Sequence, residues 1–338
     1  MLAPDPPERA VTTHPTVLRA VAQLVKESGA RALFGDSPGL ARQGTVARRS
    51  GLAEAASAEG VEMVDFSAAR TVSHPAGVQN KQFRVAEAAL DADAIINLAK
   101  LKTHGLTRMT GAVKNLFGCI PGLLKAEFHM RLPDPELFGR MLVDLAVLLR
   151  PRLHILDAVM AMEGNGPRGG TPKRVGLLLL STDPVALDAT ACRIIGLDPK
   201  FVPTITAGEA AGLGTARTDR IDIVGDPLDR VAVKDFKGVA RRPSALPRRG
   251  ILRLARDHIV PRPVIVKSTC TRCGQCVEVC PTRPKSVDWL TGPDGHPDRT
   301  RPPRHHYPTC IRCYCCQELC PESAIVIKTP WLGHLIPR

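Results

Sequence analysis

At 338 residues the chain can build one large domain or two smaller ones, and its eleven cysteines favour two, because nine of them lie between Cys270 and Cys320. Its formal charge of +13 comes with only 4% aromatic residues, none of them interleaved with the arginines, so no nucleic acid is expected as a partner. No apolar run reaches the roughly 18 residues that span a bilayer and the opening MLAPDPPERAVTTHP is no signal peptide, so the expectation is a cytoplasmic protein whose cysteines are metal ligands rather than disulfides.

From residue 17 to about 236, short apolar runs alternate with helical periods. Strands are predicted at 30–34 (ARALF), 61–66 (VEMVDF), 93–98 (DAIINL), 153–158 (LHILDA), 175–181 (VGLLLLS) and 220–224 (RIDIV). Helices are predicted at 16–29, 135–149 and 184–196. Near-continuous apolar strands between amphipathic helices argue for an α/β body over 1–240, with a mostly parallel sheet covered by helices on both faces. Residues 241–266 are rich in proline and arginine and read as a linker with one short helix, ILRLARDHI. Its arginines make either a solvated tether or a dock for an acidic redox partner or anionic surface.

Residues 267–338 carry the cysteine pattern. Cys270, Cys273, Cys276 and Cys280, followed by Pro281, form C-x2-C-x2-C-x3-C-P; Cys310, Cys313, Cys316 and Cys320, with Pro321, repeat it. The spacing predicts an α+β ferredoxin-like module with two [4Fe–4S] clusters. In two-cluster ferredoxins the fourth cysteine of such a run crosses to the other cluster. Cys270, Cys273, Cys276 and Cys320 would then hold one, and Cys310, Cys313, Cys316 and Cys280 the other. Zinc needs two cysteine pairs per ion and gives no reason for a third cysteine at the same interval. Cys315 falls off the repeat and reads as a small buried filler. No coordination site is left open, so the module is expected to pass electrons rather than to make bonds. Lysine and arginine outnumber acids by 17 to 7 from Arg241 onward, which offsets the net negative charge of thiolate-bound clusters.

In the body, NLAKLKTHGLTRMTGAVKNLFGCIPG (97–122) is expected to start at the carboxyl end of a strand, where open sheets place ligands. Lys100, Lys102, His104, Lys114 and Asn115 crowd into it and suit a small anionic ligand such as a carboxylate or phosphate. The plain alternative is solvated lysines and a helix-capping histidine. Asp36, Asp157 and Glu163 are further polar residues near strand ends, Asp183 and Asp188 read as a helix cap and a first-turn acid, and Cys119 and Cys192 as packing. The loop MEGNGPRGG (162–170) lacks nucleotide-binding spacing and reads as a flexible turn. Nothing resembles a hydrolase triad or a zinc protease motif.

KLKTHGLTRMTGAVKNLFGCIPG, AVTTHP, GDSPG, STDPVALDATACRIIG and CIRCYCCQELCPESAI together resemble the uncharacterised iron–sulfur proteins grouped as domain of unknown function 362, over nearly the whole chain and in the same order. The resemblance implies an α/β domain fused to a ferredoxin-like module and supplies no reaction. Members of that family usually open with a strand ending in Lys-Pro-Asn ahead of the segment matched here by MLAPDPPERAVTTHP, so Met1 is expected to be an internal methionine or the chain a shortened copy. The functional expectation is an iron–sulfur electron-transfer protein whose two clusters feed or drain the α/β body, with a redox partner protein of acidic character and a small anion bound at the Lys100–Asn115 segment; it is an oxidoreductase of unknown substrate if the body is catalytic. The alternatives are a ferredoxin-type carrier with a partner-docking domain, and a scaffold for cofactor assembly.

Overall fold

The computed structural model describes residues 1–238, 257–293 and 295–335. Helix α1 (Pro15–Glu27) starts where the sequence supplies a capping His14 and a proline at the first helical position. Its Leu18 and Ala22 pack on Leu52, Ala55 and Ala56 of helix α3 (Leu52–Ala58), which follows helix α2 (Gln43–Arg49). This layer covers two short parallel strands, β1 (Leu33–Phe34) and β2 (Glu62–Met63). A hairpin of β3 (Ala69–Ser73) and β4 (Gln82–Ala86) then sends Phe83 and Val85 into a second core.

The main sheet has four strands in the order β6–β5–β7–β8, where β5 is Ile96–His104, β6 is Arg108–Thr110, β7 is Leu153–Glu163 and β8 is Thr171–Ser181. Only β5 and β7 pair in parallel; β5 with β6 and β7 with β8 are antiparallel. The expected mostly parallel sheet is therefore corrected to a mixed one. The reason lies in the connections: three residues join β5 to β6 and seven join β7 to β8, too few for a crossover. Coverage on both faces also fails at β8, whose Leu178 and Leu180 are exposed. RIDIV (220–224) forms no strand and leaves Val224 in solvent. The expected linker helix lies largely outside the described residues, while the end of the linker, Arg262–Ile265, is strand β9.

Strand β5 sorts its side chains by the period of two. Ala99 and Leu101 enter a core with helix α8 (Pro184–Ile194), whereas Leu98, Lys100, Lys102 and His104 lie on the opposite face. Helix α7 (Pro135–Leu149), capped by Asp134, fills the remaining core with Phe138, Met141, Leu142 and Leu145. Between them sits the short helix Ala112–Asn115, whose first amides donate to Asp188 at 2.6 and 3.2 Å. Asp188 is thus an anchor for a second segment rather than a first-turn acid of its own helix. Gly111 leaves the necessary room, since a Cβ there would fall 2.1 Å from Asp188 Oδ1. Asp183 caps α8 through the amides of Val185 and Ala186, as expected.

The C-terminal module closes on β9 paired antiparallel with strand Ile325–Lys328. It rests on the body through the loop that the sequence presents as a flexible turn. Asn165 accepts from Gln317 Nε2 at 3.1 Å and donates to the carbonyl of Ile325 at 2.9 Å, while Gln317 also reaches the carbonyls of Asn165 and Gly166. Among the described residues no helix is long and apolar enough to cross a membrane.

Because Asp188 holds two buried amides of the helix that carries Lys114 and Asn115, Asp188→Ala should lower stability by about 2–4 kcal/mol. Denaturant unfolding measures this, and a loss under about 0.5 kcal/mol would show that the anchor is dispensable.

Candidate functional site

A cavity of about 350 Å³ opens between the body and the module, at the small end of the range for organic ligands. Strand β5 runs along it, contributing Ile96 and Leu98 and then Lys100 and Lys102. Apolar residues of the α1–α3 layer, among them Leu18, Phe34 and Leu52, line the first part. The second part collects Lys114, Asn115, Phe117, Cys119, Lys125 and His129 from the segment after β6. The far wall belongs to the module: Val279, Cys315, Glu318 and Leu319.

Each residue singled out from the sequence has a definite place. Lys100 is buried and paired with Asp157 at 2.7 Å, and Asp157 also accepts from the His14 amide at 2.8 Å. Lys102 Nζ donates to the carbonyl of Val11 at 2.6 Å and faces the cavity. Lys114 borders it with its ammonium 5.7 Å from the centre of the Phe117 ring. Asn115 also borders it, but its amide donates to Asn97 Oδ1 at 2.7 Å and to the carbonyl of Leu98 at 3.1 Å. It is thereby a brace for β5. His104 lies one step behind the wall. Its Nδ1 accepts from the amides of Leu106 and Thr107, so the ring proton sits on Nε2, 3.0 Å from Glu318 Oε1. One of the sequence expectations changes here. Lys100 and Lys102 stand on the strand itself rather than in a loop beyond it, while Cys119, packed on the core as expected, also borders the cavity. Glu163 accepts from the amide of Lys237 and stays out of the site. Asp36 joins it, beside the amino group of Met1.

Lys125, His129 and Glu318 escaped the sequence reading. Lys125 Nζ donates to the carbonyl of Ser37 at 2.7 Å and to that of Ile120. His129 is buried and borders the cavity, and its Nδ1 has no partner among the described residues. The only signal for Lys125 was its closeness to GCIPG, and Glu318 was hidden among the cysteines.

The electrostatics is that of cations held out of water. Burial, reinforced by Lys114 and Lys100, pushes Lys102 down to about 7. Burial pushes Lys125 to about 7 as well, with Lys114 adding to it against Cys119. Lys114 is lowered by burial against the pull of Glu318 and Cys315, and Lys100 by burial against Asp157. His104 and His129 are both held to about 4, chiefly by burial, and are neutral. Burial opposes the charge of Glu318, but the contact with His104 and the charge of Lys114 outweigh it and hold its carboxyl well below the usual range. A pocket with this surplus of cations favours an anion.

In the module the sulfurs gather at two small hollows of about 20 Å³ each. Cys270, Cys273, Cys276 and Cys320 line the outer one, and Cys280, Cys310, Cys313 and Cys316 the inner one. The chain is shaped for this by matched left-handed residues, Arg272 and Gly274 in the first loop and Arg312 and Tyr314 in the second. Tyr314 tolerates the conformation because its ring is buried in the body's core and its hydroxyl donates to the carbonyl of Pro261 at 2.8 Å. Amides of Ser286 and Ala324 point at Cys280 Sγ and Cys320 Sγ, each at 3.3 Å. Burial and the neighbouring sulfurs push Cys276 up to about 12, so ionising such a quartet requires cationic iron at its centre. The donor set fits [4Fe–4S] clusters. Cys315, the spare, is buried between Cys313 and the cavity.

Comparison with known proteins bears on the family and on the cysteine module. Residues 1–193 match a family described as a domain of unknown function (DUF362), and residues 262–321 match a 4Fe-4S dicluster domain, which implies two [4Fe–4S] clusters. A thylakoid-associated protein of Synechocystis sp., sll1697, is 43% identical over 232 residues, covering 68% of this chain and 72% of that protein. No solved structure matches the chain.

Lys102 and Lys125 give up protons on folding, since both titrate near 10.5 when exposed. Between about 7 and 10.5 the unfolded chain binds more protons, and their contribution to stability rises with pH through that window. Lys102→Met should flatten the rise between about pH 7 and about pH 10, as read by denaturant unfolding. The same slope in both proteins would mean that this ammonium keeps its water.

Proposed function

The chain belongs to the DUF362 family, here joined to a dicluster domain, and we propose that it is an iron–sulfur electron carrier serving a redox reaction of a small organic anion bound in the cavity. One observation carries this reading: the inner hollow and the cavity share a wall. Val279 and Cys315 face the cavity, pack with Cys313, and stand next in sequence to Cys280 and Cys316. We assign Cys270, Cys273, Cys276 and Cys320 to one cluster and Cys280, Cys310, Cys313 and Cys316 to the other, supported by the two hollows these quartets line.

Clusters so held supply single electrons. The remaining work falls to side chains. Lys102, Lys114 and Lys125 bind the anion and offset negative charge as it grows on the substrate. Lys102 and Lys125, each with a pKa of about 7, can hold or release a proton at Nζ near neutral pH. Backbone carbonyls of Val11 and Ser37 keep those two ammonium groups aimed. Leu98 and Phe117 thin the water around them.

Anaerobic reconstitution should yield about eight irons per chain. Cys280→Ala should spoil mainly the cluster assigned to the second cysteine run, whereas Cys315→Ala should leave iron content unchanged; equal loss at both clusters in Cys280→Ala would refute the crossed assignment. Inorganic phosphate and succinate serve as probes of the cavity. At least one should raise the melting temperature of the iron-loaded protein, and Lys114→Ala should abolish the shift while retaining its iron. No shift from either probe, or a shift that survives in Lys114→Ala, would refute the anion site and leave the clusters standing.

A further inference from the structure

The two sulfur hollows are not equivalent. All four cysteines of the inner one are buried, and the residues around it include the wall shared with the cavity. At the outer one Cys273 is exposed and Cys270 is half-buried. One quartet therefore packs toward the cavity wall and the other reaches the surface.

Three exposed arginines lie on the segments around Cys273. Arg272, next to it, is exposed, and its Nη1 donates to the carbonyl of Thr300 at 3.1 Å, which draws the segment Arg299–Arg301 alongside. Arg299 and Arg301 are also exposed. Arg299 sits 5.7 Å from the centre of the Trp289 ring, and Trp289 lies against Gly274, where a Cβ would come 3.4 Å from the indole. The acids nearby are Glu322, on the rim, Asp288, exposed and accepting from the Trp289 amide at 2.8 Å, Glu278, exposed on the short helix after Gly274, and Asp298, which is engaged by Thr300 at 2.9 Å and by Arg301 at 3.7 Å. A half-buried indole with Arg299 over it, and with Arg272 and Arg301 exposed on the adjoining segments, offers an apolar centre with cations beside it, the pattern that receives an acidic protein surface.

We infer that the face around Cys273, formed by Arg272, Trp289, Arg299 and Arg301, docks an acidic one-electron carrier protein. The inference rests on the assignment of Cys270, Cys273, Cys276 and Cys320 as ligands of one cluster. Transfer across the face moves one electron between carrier and protein, with no bond made or broken and no proton required.

The charge-reversed protein, with Arg272→Glu, Arg299→Glu and Arg301→Glu together, tests it. Oxidised flavodoxin, a small acidic carrier, should bind the iron-loaded wild type with an affinity that falls steeply with salt, measured by titration calorimetry. In the triple variant the affinity at low salt should drop by about tenfold or more. Trp289→Ala, which keeps every charge, should weaken binding with the salt slope intact. Iron content and visible absorbance are measured on every protein. If the irons are present and flavodoxin binds the triple variant as tightly as the wild type, or binds neither, the docking face is wrong and the cluster assignment survives. If the irons are absent from the wild type, the cluster assignment fails first.

Discussion

Glu318 is the point at which the two parts of the molecule are electrically joined. It belongs to the turn that carries Cys316, yet its carboxylate lies against His104 of the sheet and within the field of Lys114. The body presents buried cations to this seam and the module answers with one buried carboxylate. Removing the carboxylate would leave those cations uncompensated in a place with little water, which is far more costly than losing a surface pair. The relative position of cavity and sulfurs is thus fixed by charge as well as by the amide contacts of Asn165 and Gln317.

That single carboxylate does not balance what faces it. Lys100 has its own partner in Asp157, but Lys102 and Lys125 donate to backbone carbonyls, and Lys114 lies by an aromatic face, with Glu318 pulling on Lys102 and Lys114 from further off. Such an arrangement is poor for stability and good for capturing negative charge. Folding stores an imbalance here that a ligand can relieve, the usual relation between stability and function at a preorganised site.

The cysteine module was legible in the sequence because iron–sulfur ligation imposes a spacing that nothing else requires. The helices α7 and α8 were legible too, since proline and aspartate mark their starts. The sheet was not. LHILDA and VGLLLLS look like strands buried on both faces, and only the length of the MEGNGPRGG connection decides that they pair antiparallel. Lys100, Lys102 and His104 were found as a cluster, but the period that puts all three on one face became readable only once β5 was known to run on through them. Lys125 and His129 stayed hidden because proximity in space to Lys102 leaves no trace in local spacing. Asn115 was overvalued for the opposite reason: it is near the site, but its amide is occupied by Asn97 and Leu98.

The unequal exposure of the sulfurs also grades how the protein would age in air. Cys273 meets dissolved oxidants directly, whereas the inner sulfurs lie behind Val279, Ile311 and Tyr314. Oxidation would climb from sulfenate to irreversible acids at the outer quartet first. A weathered molecule would be cut off from its partners while the chemistry deeper inside was still intact, so that damage silences it before it can misfire.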